Sequence, residues 1–222
     1  MGAASTLPQA ELDPQQPIVP LGERSILALP AHVRRFGYVP DLTGCLPGDL
    51  ILFRSHHPNI TGRTIAAAQL AGGINAEHSR WTHAAIFLSD DFVVEASPIT
   101  GVAQRTLYAD IPDKILRIRR QPALTEIERY RVALRALRML GARYSYGAAI
   151  STGWYLLNGL WSEPSITSLG PAVICSNVFS DAYSDVTRKL LSGCPIDFPV
   201  TPAHLSATPD LQDIQVGWLK LI

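Results

Sequence analysis

Two apolar runs separated by three residues constrain this chain more than anything else in it. Thr82 to Leu88 and Phe92 to Ser97 read as strands, and Ser89-Asp90-Asp91 between them is a tight connection, so the pair predicts a β-hairpin. One titratable residue interrupts each run: His83 precedes Ala84-Ala85-Ile86-Phe87-Leu88, and Glu95 sits inside Phe92-Val93-Val94-Glu95-Ala96. A polar group in an interior strand is costly unless paired, so each demands a partner. With residues 89–91 as a loop and Leu88 opposite Phe92, Ala85 faces Glu95. His83 then lies diagonally across from Glu95 on the same face, within reach of a long side chain. A two-residue slip keeps that shared face and a one-residue slip destroys it. An imidazole held by a carboxylate is the base of a nucleophilic triad; the plainer reading is a core histidine satisfied by backbone.

A base implies a nucleophile. The sequence has three cysteines, Cys45, Cys175 and Cys194, an odd number at wide spacing that fits neither a disulfide framework nor a paired-cysteine zinc site. Cys175 follows the Gly170-Pro171 break and the apolar Ala172-Val173-Ile174, and opens a predicted helix over Cys175–Tyr183 with Val178, Phe179, Ala182 and Tyr183 inward. At a helix N-terminus, unpaired N–H groups and the dipole favour thiolate, and the same groups cradle an oxyanion. Ser176, beside the nucleophile, is a further candidate for substrate or oxyanion binding. Cys45 and Cys194 open no helix and rank below. His56-His57 resembles a metal pair only superficially, since adjacent strand residues point to opposite faces and no third ligand is apparent. No metal or cofactor is expected.

The other elements follow from local signals. Residues 1–22 are expected to form a flexible or loosely docked arm, because Pro8, Pro14, Pro17 and Pro20 deny it regular structure, and residues 23–222 a single catalytic domain. Asp49–Phe53 reads as a buried strand and Ile60–Leu70 as a short helix ended by Gly72-Gly73. Lys114–Arg119 alternates Leu116 and Ile118 with Arg117 and Arg119, the period of a half-exposed strand. Thr125 and Glu128 have capping-box spacing, and Ile127, Tyr130, Leu134, Leu137 and Leu140 form one apolar stripe on the helix that follows. A second apolar helix is expected over Ala148–Leu157. The tail from Pro195 is expected to be mostly extended, with Thr201-Pro202 and Thr208-Pro209 as turn or helix-start signals.

Composition excludes some classes. Lysine plus arginine equal aspartate plus glutamate at 19 each, so bulk positive charge for nucleic-acid binding is absent. The first twenty residues have no basic start followed by an apolar run, which predicts no secretory signal there. Ala148–Trp161 is too short and too interrupted to span a bilayer, so no transmembrane segment is expected and the protein reads as soluble.

Four blocks in order carry a resemblance: Gly48-Asp49-Leu50-Ile51-Leu52-Phe53; Trp81-Thr82-His83-Ala84-Ala85-Ile86; Val94-Glu95-Ala96 with Gly101-Val102; and Ile174-Cys175-Ser176 before an apolar helix. Over roughly residues 44–210 they resemble the permuted NlpC-type papain-like cysteine peptidases, in particular the YiiX-like branch. The resemblance implies an α+β papain-like fold, a small antiparallel sheet or barrel packed against helices, with His-bearing strands before the Cys-bearing helix. It implies Cys175 as nucleophile, His83 as base and Glu95 as the orienting acid. Relatives often carry an acid two positions after the cysteine; Asn177 stands there. Tyr144 and Tyr146 lie upstream of Cys175 as tyrosines do in some relatives; a phenol there either donates to an oxyanion or packs beneath the helix.

The expected activity is hydrolysis through a thioester, most favourably at amide bonds of peptides or cell-wall stem peptides. The rivals are a lipid ester hydrolase or acyltransferase of the lecithin:retinol acyltransferase-like type, with Ala148–Trp161 lining an acyl pocket, and a non-catalytic binding module on the same fold. The expected setting is cytoplasmic, or exported without a cleavable signal; a secreted cell-wall effector would come with an immunity protein.

Overall fold

The computed structural model describes residues 11–15, 20–24, 29–145, 172–196 and 199–222. In chain order the strands are β1 (Glu11–Leu12), β2 (Pro20–Arg24), β3 (Tyr38–Pro40), β4 (Leu50–Ser55), β5 (His83–Ser89), β6 (Phe92–Ser97), β7 (Gly101–Thr106), β8 (Lys114–Arg120), β9 (Arg143–Tyr144), β10 (Ala172–Val173), β11 (Gln212–Ile214) and β12 (Trp218–Leu221). The helices are α1 (Ala31–Phe36), α2 (Ile60–Ala71), α3 (Ala76–Ser79), α4 (Glu126–Leu137), α5 (Cys175–Thr187) and α6 (Pro202–Ala207). This is a mixed α+β fold on an antiparallel sheet of order β1-β8-β4-β5-β6-β7, with β11 also on β8. A small sheet, β2-β12-β3, stands apart from it.

The sheet is buried on both faces, which is why β4, β5 and β6 read as nearly unbroken apolar runs rather than alternating ones. Leu50, Leu52, Ala84, Ile86, Val94 and Ala96 share one core with Val178, Phe179 and Ala182 of α5 and Val132 and Ala136 of α4. Ile51, Phe53, Ala85, Phe87, Val93 and Leu116 share the other with Val33, Val39, Tyr108 and Trp218. Helix starts follow their caps: Asn59 accepts from Gly62 N–H, Thr125 and Glu128 form a capping box, and Thr201 caps α6 with His204 as its partner.

Four sequence expectations change. The hairpin keeps Ala85 opposite Glu95, but Ser89, not Leu88, faces Phe92; Leu88 is an extra residue in β5, and Asp90 turns the chain at φ +54°. The arm contains two strands in its described part: Glu11–Leu12 pairs with β8, and Glu11 reaches Arg80 and Arg54 while Asp13 holds His56 at 3.0 Å. Its prolines did not forbid this, because Pro20 stands at the first position of a strand on the edge of its sheet.

β8 is not half-exposed. Arg117 and Arg119 are buried, both bonded to Asp213 of β11, and Arg119 also donates to the carbonyls of Leu205, Ser206 and Thr208. Residues nearly a hundred positions away convert an apparent surface face into an interior one. α4 is rotated: Arg129, Val132, Ala133 and Ala136 face inward, while Ile127, Tyr130, Leu134 and Leu140 are exposed. The inward turn brings Arg129 within 3.7 Å of the fully buried Asp49 carboxylate, which Arg120 also holds at 2.6 Å. The expected helix over 148–157 lies outside the described residues.

Candidate active site

Cys175 is placed by a short relay. β9 and β10 pair in parallel with Tyr144 beside Val173, and Ile174, extended, is the N-cap of α5. Isoleucine has no oxygen to cap with, so the first N–H groups of α5 are not taken up by a capping side chain. α2, α3, α4 and α6 all carry side-chain caps. One freed group, the N–H of Ser176, stabilises the Cys175 thiolate, and the N–H of Ala84 does so from β5. Ala84 is available because the β5–β6 ladder starts only at Ala85 and Glu95, leaving its N–H without a strand partner on that side.

His83, the first residue of β5, packs its ring 5.4 Å from that of Phe53 and lies close enough to Cys175 for the two groups to shift each other's proton affinity. Its Nε2–H donates to Glu95 Oε2 at 2.7 Å, which leaves Nδ1 as the nitrogen for the thiol. Sulfur, imidazole and carboxylate, which the sequence separates by up to 92 positions (175 − 83), are brought together: Glu95 holds the ring at 2.7 Å, and the ring and the Cys175 thiol couple electrostatically. Cys175 is 8 % exposed and the His83 side chain 21 %, so the cysteine is almost wholly enclosed and the ring somewhat more open.

Electrostatics follow from these contacts. Burial opposes a charged imidazole, but the Cys175 thiolate, its hydrogen bond and Glu95 outweigh it and push His83 up to about 10. Burial likewise opposes a thiolate at Cys175, yet the His83 charge and hydrogen bond, with the two N–H groups, hold that thiol below its ordinary value. For Glu95 burial is again overcome, by the His83 hydrogen bond and charge and by Arg105, and its carboxyl is held down at about 2. The other thiols go the opposite way: burial first and then Asp49 push Cys45 up to about 12, and burial with Asp210 pushes Cys194 up to about 11.

A brace behind Glu95 escaped sequence reasoning. Arg105 donates from Nη1 to Glu95 Oε1 at 2.7 Å and pairs through Nη2 with Asp110 at 2.9 Å; Lys114 holds the other Asp110 oxygen at 2.6 Å. Both Glu95 oxygens are therefore occupied, which pins the carboxylate from behind while it holds the ring. The missing signal was β7, whose register sets Arg105 opposite Val93 and diagonal to Glu95; recognising Gly101–Thr106 as a strand would have exposed it. Gly101 makes that strand possible, since φ is +68° and a Cβ would collide with the Ala142 carbonyl.

The remaining candidates separate clearly. Ser176 is fully buried and its hydroxyl donates to Val200 O at 2.6 Å, so its side chain does not face the site; only its N–H does. Tyr144 is half-buried against the α5 core, in register with Val173. Tyr146 lies outside the described residues, as does 148–161. Asn177, two positions after the sulfur, has a buried Oδ1 with no hydrogen-bond partner among the described residues. His78 bonds Ser206 and His204 caps α6, both far from the thiol in role. Among the described residues no three His, Cys, Asp or Glu side chains cluster as a metal site, and no helix is long and apolar enough to cross a membrane. No protein-family model matches the chain, and no curated protein matches it.

Proposed function

We propose that the chain is a cysteine hydrolase on a permuted papain-like fold, acting through a thioester on amide bonds of peptides or cell-wall peptides. The observation that carries this is the contact of Cys175, at a helix start with no side-chain cap, with an imidazole that Glu95 braces. The order of the elements, His83 and Glu95 on β5 and β6 before Cys175 on α5, supports the permuted arrangement.

In this reading the Cys175 thiolate adds to the carbonyl carbon, and the backbone N–H of Cys175 receives the resulting oxyanion. The His83 imidazolium gives its proton to the amine nitrogen as the C–N bond breaks, leaving a thioester. Neutral His83 then takes a proton from water, which attacks the thioester; the C–S bond breaks, and acid, thiolate and imidazolium are restored. An imidazolium beside the nucleophile supplies the proton that an amine leaving group requires.

Incubation with purified muropeptides and, separately, with phospholipid vesicles, followed by mass spectrometry, tests the bond class. New amine and carboxylate termini on the peptides support the proposal; change in the lipids alone refutes the amide assignment. A Cys175 labelled by a thiol probe only at alkaline pH would refute the enzyme reading and leave a binding module.

A further inference from the structure

α4 carries its large apolar side chains outward and its small ones inward. Val132, Ala133 and Ala136 meet the core, whereas Ile127, Leu134 and Tyr130 are 65 %, 58 % and 51 % exposed. These three share one side of the helix at i, i+3 and i+7. Next to them around the helix come Arg131, Arg135 and Arg138, and the end of α5 adds Arg188, Lys189 and the exposed Leu190. Between the two helices lies a groove of about 890 Å³ lined by Leu134, Leu137 and Val186 together with Arg131, Arg138 and Arg188, and neither Cys175 nor His83 lines it. Asp185 neutralises Arg135 at 2.5 Å. Arg131, Arg138, Arg188 and Lys189 have no carboxylate within ion-pair distance among the described residues, although Glu128 lies near enough to feel Arg131 and Lys189, in a chain whose overall charge is zero.

We infer that this face docks on an anionic lipid surface. Aliphatic residues and a tyrosine rimmed by arginines are what an interfacial helix presents: the apolar tips enter the acyl boundary and guanidiniums bind headgroup phosphates in pairs of hydrogen bonds. Cations without an ion-pair partner complement a surface of uniform negative charge, which headgroup phosphates supply. Residues 126–138 hold no Ser, Thr, Asn or Gln, and their two acids, Glu126 and Glu128, sit in the first turn, Glu128 within the capping box. The thiol opens α5 and the basic rim closes it, so docking leaves the candidate site at the far end of that helix.

The test is co-sedimentation of the full chain with vesicles of phosphatidylcholine alone and of phosphatidylcholine with phosphatidylglycerol. Partitioning onto the anionic vesicles should be stronger by about tenfold or more and should fall with added salt. It should be lost in Arg131→Glu/Arg138→Glu, weakened in Ile127→Ser/Leu134→Ser, and kept in Arg34→Glu/Arg35→Glu, a reversal on exposed α1. Arg138→Gln alone serves if either double variant fails to fold. Equal binding to both vesicles, binding to neither, or an equal loss in the α1 control overturns the inference. So does self-association abolished by Ile127→Ser/Leu134→Ser without vesicle binding, which would assign the face to a second copy. The assay reads no turnover, so its failure leaves the hydrolase proposal untouched.

Discussion

Replacing Glu95 by Gln tests the coupling on which the candidate site rests. The wild-type carboxylate accepts from two donors, His83 Nε2–H at 2.7 Å and Arg105 Nη1–H at 2.7 Å. A glutamine has one oxygen, so one of the two donors must meet an NH₂ group. Charge matters as well. Two unit charges centred about 4 Å apart at an effective dielectric near 20 interact by about 4 kcal/mol. Solvent at the His83 side chain, which is 21 % exposed, screens part of that energy, and Arg105 is present before and after the substitution, which leaves about 2–3 kcal/mol, or about two pH units of imidazole affinity. The His83 titration, followed by NMR, should therefore fall by about two units from about 10. Iodoacetamide alkylation of Cys175, localised by peptide mass, should require correspondingly higher pH, because the ring that stabilises the thiolate has lost its counter-charge. The carboxylate also contributes to stability. With a folded value near 2, below its unfolded value, that contribution is present above about pH 4.5 and is lost as pH falls through about 2. The acid-unfolding curve of Glu95→Gln should lack that component. If the ring titrates within about half a unit of wild type and the alkylation profiles overlay, Glu95 does not set the proton affinity of His83.

Four further outcomes follow from the same contacts. The pH–rate profile on a cleaved substrate should be bell-shaped, with an acid limb where Cys175 takes up a proton below the ordinary thiol range and an alkaline limb near 10 where His83 loses one; a single alkaline rise would refute the ion pair. Cys175→Ala should lower the His83 titration, since the thiolate is the strongest influence raising it, while circular dichroism stays native. Arg105→Met leaves Glu95 Oε1 buried and unpaired; kcat/KM should fall by about 10- to 100-fold, and the acid limb of stability should move up as the Glu95 carboxyl loses a cation. Gly101→Ala, forced to φ +68° against the Ala142 carbonyl, should destabilise by about 2–4 kcal/mol in urea unfolding, with the alkylation profile of Cys175 kept wherever the chain is folded.

What was legible in the sequence is what short-range physics writes there. The hairpin over 83–97, the capping box of Thr125 and Glu128, the helix opening at Cys175 and its inner face of Val178, Phe179, Ala182 and Tyr183 depend on periods and caps spanning a few residues. The Ala85–Glu95 register was recoverable because any one-residue slip would have moved a buried carboxylate to the opposite face. The brace was not legible, because Arg105 acts on Glu95 only through the pairing of β6 with β7, and Asp110 only through the turn beyond it.

The same division governs α4 and the thiols. By itself the sequence determined that α4 is amphipathic; which side faces in was decided by where a buried Asp49 needed Arg129 and where α5 left room only for Val132 and two alanines. Likewise it determined that three thiols exist and that one begins a helix. Only tertiary structure decided that Cys175 is held down while Cys45 and Cys194 are pushed up, because burial raises all three and an imidazolium brought from 92 positions away (175 − 83) reverses the sign at one. Local rules read hydrogen bonds and periods along the chain, whereas charge and desolvation depend on distances that exist only once the chain has closed on itself.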